Sequence, residues 1–104
     1  MRVQPQESSG QPLSSGLATS AAIALDALER HRDAIVVSLK PASSEQEQSL
    51  VLRLMEIGFL PGEMVRVLAT GFPGADPLAI RVGQATFALR RDEAVFVLVQ
   101  PAKL

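Results

Sequence analysis

The chain has no cysteine, no tryptophan and no tyrosine, and it carries a single histidine, His31. Without cysteine there is no disulfide framework, no thiolate metal site and no thiol nucleophile. With only four phenylalanines as aromatic residues, the core must be built from aliphatic side chains. The aromatic-lined groove by which proline-recognising modules grip polyproline helices is equally out of reach. Charge of one sign is missing too: 10 basic residues face 11 acidic ones, for a formal charge of -1. Nucleic-acid binders gain affinity by neutralising phosphates, so this balance argues against that class. The longest apolar-leaning run, Ser20 to Leu28, is broken by Asp26 and falls well short of the ~20 residues that cross a bilayer. The N-terminus lacks the basic start and compact apolar segment of a signal peptide, and a cytoplasmic location without membrane insertion is expected.

What is present is one domain's worth of sequence: 104 residues, 47% hydrophobic. Residues 1–20 are rich in Gln, Ser, Gly and Pro, with too little aliphatic surface to offset the entropy of ordering, and are expected to be a disordered tail. Pro5 and Pro12 lie in it. Residues 21–104 are the expected domain.

The segment Ser44 to Gly62 organises that domain. Ser44 and Glu47 have the spacing of a capping box, and Glu45 and Glu47 place negative charge at the positive end of a helix dipole. Leu50, Leu54 and Ile57 recur at helical spacing, with Val51 and Met55 widening the apolar face. Gly58 suits the left-handed position past the last turn, and Phe59 can fold back onto Leu54. Leu60-Pro61-Gly62-Glu63 reads as a type II turn. Glu56, an anion in the last turn, calls for a cationic partner, Arg53 or Arg66.

Strands flank this helix. Ala34 to Leu39 is β-branched and ends at Lys40-Pro41, because proline cannot donate to a ladder. Met64 to Ala69 alternates, with Val65, Val67 and Ala69 on one face. Leu78–Val82 and Ala85–Leu89 surround Gly83-Gln84, the pair a type II′ hairpin favours. Arg90 to Ala94 is a charged corner with one turn of 3₁₀ helix, and Val95 to Val99 is an apolar strand covered on both sides. The expected fold is mainly β: a small, closed or nearly closed barrel of about five strands, with one helix between the first and second.

Several stretches together resemble the FeoA family. They are Leu52-Arg53-Leu54-Met55-Glu56-Ile57-Gly58-Phe59-Leu60-Pro61-Gly62-Glu63, then Val65-Arg66-Val67, Asp76-Pro77-Leu78-Ala79-Ile80, and Ala88-Leu89-Arg90-Arg91-Asp92-Glu93-Ala94. Leu25-Asp26-Ala27-Leu28 ahead of Ala34 to Leu39 is similar to the family's opening. The resemblance implies an SH3-like β-barrel that acts as a small accessory of ferrous iron uptake, with the cytosolic part of a FeoB-type permease as its partner. Between the first strand and the helix, where family members often carry glycine-rich or arginine-rich sequence, this chain has Pro41-Ala42-Ser43-Ser44. The same fold forms the C-terminal module of iron-dependent repressors, but no helix-turn-helix pattern stands ahead of it here.

Three kinds of site bear on these residues. Catalysis wants a nucleophile beside a base; His31 sits alone in a charged connector, and Ser43 and Ser44 suit helix capping, so no catalytic residue is expected. For metal, Asp26, Glu29, His31 and Asp33 cluster in sequence, a set suited to weak, open binding of Fe²⁺ or Zn²⁺, with a solvated charged turn as the plainer alternative. No cofactor is required. For a partner, Phe59 and Leu60 at the helix exit and Phe72 and Pro73 at a loop tip offer apolar contacts, and Arg90 and Arg91 offer charge. Weak self-association through such surfaces is a further expectation. Arg53, Arg66, Arg90 and Arg91 also have the residue type that stabilises phosphoryl-transfer charge in a GTPase, which makes regulation of the permease's G domain an alternative.

Overall fold

The computed structural model describes residues 21–103, so the expected tail over 1–20, with Pro5 and Pro12, lies outside the described residues. Six strands form one antiparallel sheet: β1 (Ile23–Ala24), β2 (Asp33–Leu39), β3 (Met64–Thr70), β4 (Leu78–Val82), β5 (Ala85–Leu89) and β6 (Val97–Pro101). Their order is β1-β6-β2-β3-β4-β5. The helix α1 (Glu45–Ile57) lies between β2 and β3, and a four-residue helix α2 (Arg91–Ala94) joins β5 to β6.

The mainly β class agrees with expectation; two details differ. A short strand, Ile23–Ala24, precedes the expected first one and pairs with Val99 and Leu98 of β6, making six strands instead of five. The ladder is also not closed, because β1 and β5 are both edges. Side chains and a loop bridge the gap instead. The Arg91 guanidinium bonds the carbonyls of Asp26, after β1, and of Ala75, before β4.

One face of the sheet supplies the core. Ala34, Val36, Val65, Val67, Ile80, Leu89, Val97 and Val99 are all buried with Leu25, Leu54 and Phe59 in one aliphatic cluster. Alternation along each strand produces this, since successive side chains point to opposite faces. Two bulges reset the parity. Pairing shifts between Val67 and Ala69, so Ala69 is exposed instead of following Val65 and Val67 inward. A second shift falls between Val36 and Ser38, at Val37, which alternation already places on the outer face. The last strand begins at Val97, since Val95 and Phe96 complete the turn after α2, and its alternate residue Leu98 is only half-buried.

The helix is held at its ends more than along its length. Ser44 Oγ accepts a hydrogen bond from the Glu47 amide at 3.1 Å. The reciprocal half of the expected box is displaced by one residue: the Glu47 carboxylate accepts from the amide and the hydroxyl of Ser43, both at 2.8 Å. Those bonds hold the Glu47 carboxyl below the usual carboxylate range, the backbone bond contributing most. At the other end Gly58 has φ 125°, the Gly58 amide bonds Met55 O at 3.1 Å and the Phe59 amide bonds Leu54 O at 3.0 Å. This is a Schellman cap, and it drops Phe59 fully into the core. Leu54 is the only residue of α1 that is fully buried; Leu50 and Ile57 are half-buried against the same cluster. Met55, expected on the apolar face, is instead 43% exposed.

Candidate functional site

The turn expected after the helix is present. Gly62 has φ 92°, and the Glu63 amide bonds Leu60 O at 3.0 Å. Pro61 pre-sets the bend, so Leu60 is held out at its shoulder, 42% exposed. The Gly62 amide and the Glu63 carbonyl then bond Val36, which pins the turn against β2. Between the turn, the second half of α1 and the exit of β2 lies an open apolar groove of about 310 Å³. Its walls include Leu39, Pro41, Val51, Met55 and Leu60. Every charged side chain is absent from them except that of Lys40. Phe59 forms the groove's floor but is buried, so of the expected pair at the helix exit only Leu60 has surface to offer.

The second expected contact lies elsewhere. Phe72 is 95% exposed at the tip of the β3–β4 loop, with Pro73 exposed beside it, and neither borders the groove. Arg91 anchors that loop. Its Nε donates to Ala75 O at 2.8 Å, its Nη1 to Asp26 O at 2.9 Å, and its amide to Asp76 Oδ1 at 3.0 Å. The guanidinium expected at a partner surface is therefore an internal fastener. Arg90 is exposed, and its amide is capped by the Glu93 carboxylate at 3.0 Å.

The sequence cluster expected to bind metal does not assemble. His31 is exposed at φ 66°, with its amide bonded to Val67 O. Asp33 pairs with Arg66 at 3.1 Å and Glu29 with Arg32 at 3.6 Å. Among the described residues no three His, Cys, Asp or Glu side chains are gathered in a metal-binding arrangement. Asp26 sits in the short turn after β1, Asp33 opens β2, and Glu29 and His31 lie between them, so closeness in sequence did not become closeness of ligating atoms.

The cationic partner expected for Glu56 is not found among the described residues either. Arg53, one turn before it, reaches across to Glu93 at 2.6 Å, and Arg66 is taken by Asp33. The tertiary partner wins because α2 presents Glu93 alongside α1, whereas the exposed Glu56 is already well solvated.

The sequence reading missed a feature of the outer sheet face. Asp33, Arg66 and Arg81 are register neighbours across β2, β3 and β4, and they line one pocket of about 290 Å³ with Met64. No sequence motif marks them, because the three positions meet only through strand register.

A family model described as the FeoA domain matches residues 23–101. Among solved structures, the chain is similar to the zinc-complexed FeoA of Stenotrophomonas maltophilia, described as an SH3 domain protein and put forward as a ferrous iron transport activating factor. The identity is 37%, over 78% of this chain and 91% of that one, with a TM-score of 0.66. It is also similar to a FeoA-like protein from Clostridium acetobutylicum, at 24% identity over 82% and 92% of the two chains, with a TM-score of 0.70. A manganese-dependent transcriptional repressor in complex with manganese shares the fold, at 22% identity over 82% of this chain and 39% of that one, with a TM-score of 0.67. Comparison with curated proteins returned no match.

Proposed function

Because the chain belongs to the FeoA family, whose members are associated with ferrous iron transport, we propose that it is a non-enzymatic accessory that docks on the cytosolic part of a FeoB-type ferrous iron permease and modulates transport. The observation that supports this reading is the apolar groove beside α1. Leu60 and Met55 are held half-exposed on a rigid turn and helix, where a partner can bury them without reordering the fold. Leu52, 59% exposed on the same helix, extends the apolar surface beyond the groove. No helix among the described residues is long and apolar enough to cross a membrane.

The test is titration of the permease's purified cytosolic domain with the folded chain. Burying a side chain of leucine size stabilises by about 1.5–3 kcal/mol, and roughly half of Leu60 is already buried, so Leu60→Ala should weaken binding about three- to tenfold. Phe72→Ala, outside the groove, reports separately on the loop tip. Absence of wild-type binding with both proteins folded removes the proposal; binding that Leu60→Ala and Met55→Ala leave unchanged removes the groove from it.

The zinc held by the S. maltophilia relative supports a second reading, weak Fe²⁺ or Zn²⁺ binding in which His31 is the strongest available ligand. The described residues supply no three-ligand group, so another molecule would have to complete the site. Calorimetry with Zn²⁺ on wild type and His31→Ala decides it, and equal affinity ends the histidine version.

A further inference from the structure

Arg66 on β3 stands directly opposite Arg81 on β4, and Asp33 on β2 stands directly opposite Arg66. Side chains in opposed positions on antiparallel strands have their Cβ atoms ~5 Å apart, and like charges so placed destabilise the pair. Asp33 relieves one of the two, bonding Arg66 Nη1 at 3.1 Å. Among the described residues Arg81 makes no ion pair, although the Glu63 side chain lies near Gly83 at the pocket's rim. The pocket of about 290 Å³ that these residues line is thus left with two guanidiniums and one carboxylate.

The next row of the same face is apolar. Ile35 on β2 is opposed to Met64 on β3, 37% and 54% exposed. The charged and apolar rows are two residues apart along each strand, ~6.6–6.8 Å. An extended chain repeats on one side with that spacing.

We propose that this face is a second recognition site, which takes an extended segment of a protein partner carrying an acidic residue with an apolar residue two positions away. The carboxylate lies between Arg81 and Arg66, where guanidinium forks match its two oxygens, and the apolar side chain covers Met64 and Ile35. One carboxylate brings the three lining charges to neutrality. A phosphate dianion would overshoot that balance of Asp33, Arg66 and Arg81, which favours carboxylate over phosphate. The site is separate from the α1 groove, and its occupant need not be the permease.

A blocked five-residue peptide with one glutamate and a leucine two positions on is titrated into ¹⁵N-labelled full-length protein. The expected result is amide shifts at residues 64–66 and 81–83, with millimolar affinity that weakens as salt is raised. Arg81→Gln, at an exposed position that leaves the core intact, should abolish them while the rest of the spectrum is retained. The same peptide with glutamine in place of glutamate should give at least fivefold weaker binding. The proposal is overturned by absence of shifts with the wild type at 10 mM peptide, taken as about the weakest affinity such contacts would give. It is equally overturned by unchanged binding to Arg81→Gln, by equal binding of the glutamine peptide, or by inorganic phosphate competing as strongly as the peptide. These outcomes are independent of whether the permease's domain binds the groove.

Discussion

Arg91→Ala should unfold the domain more easily without touching any exposed surface of the groove. Two bonds from a charged donor, at 2.8 and 2.9 Å, tie the turn after β1 and the β3–β4 loop to the start of α2. Hydrogen bonds to charged groups contribute about 1.5–3 kcal/mol each when buried. Here the side chain is half-buried and the freed carbonyls can hydrate, so the pair is worth about 2–3 kcal/mol in all. A domain of this size has about 5–10 kcal/mol of stability, so the loss is a large fraction of it. With a urea slope near 1 kcal/mol/M for so small a domain, the midpoint should fall by about 2–3 M. The chain has neither tryptophan nor tyrosine, so far-UV circular dichroism is the appropriate probe. Arg91→Lys should recover less than half the loss, because one ammonium cannot reproduce a fork aimed at two carbonyls. The exposed Arg90→Ala should move the midpoint by less than about 0.5 M, as surface changes usually do. If Arg91→Ala unfolds at the wild-type midpoint, the fastener argument fails and Arg91 returns to the candidates for partner contact.

Glu47→Gln should lower stability at neutral pH and progressively less in acid. The folded carboxyl titrates below its unfolded value because Ser43 donates two bonds to it. Its contribution is therefore fully present above the ordinary carboxylate range, about pH 4.3, and is lost as pH falls through the lowered folded value. Parallel midpoints of wild type and variant from pH 7 to pH 3 would refute this. Gly58→Ala should cost about 1–2 kcal/mol by urea titration, because an L residue is strained at φ 125° and the added Cβ would meet Val82 Cγ1 at 3.3 Å. An unchanged midpoint would mean that the end of α1 relaxes freely and that the cap does not set the direction of Leu60.

What the sequence could disclose depended on the range of the interaction. Ser44, Gly58, Phe59, Pro61 and Gly62 act on neighbours within six residues, so the start of α1, its Schellman end and the turn after it were all legible from spacing. The hairpin at Gly83-Gln84 was legible for the same reason: Gly83 takes φ 58° and Val82 pairs with Ala85. Strand faces were legible only until a bulge. The parity that carries Val65 and Val67 inward fails at Ala69, because one unpaired residue reverses every later position and no residue type announces it. Charge pairing was least legible. Arg53 has Glu56 one turn away yet bonds Glu93, 40 positions on, since distance in space and cost of desolvation decide a pairing and sequence distance does not.

The same reasoning explains why the two candidate surfaces came to light by different routes. Leu60 follows a helix stop and precedes a proline turn, so its projection from the fold is a local consequence of Gly58, Pro61 and Gly62. The row of Asp33, Arg66 and Arg81 exists only because β2, β3 and β4 align in one register. A shift of β4 by one residue would send Arg81 to the core face and replace it with an apolar neighbour. Burying Ile80 and Val82 fixes that register, and burying Val65 and Val67 fixes the adjoining one. The aliphatic core thereby places two like charges side by side on the outer face, and a lone carboxylate from β2 answers only one of them. An electrostatic conflict held in place by hydrophobic burial persists at little cost when an external anion is there to resolve it. The acidic peptide titration is therefore a test of the sheet's register as much as of its chemistry.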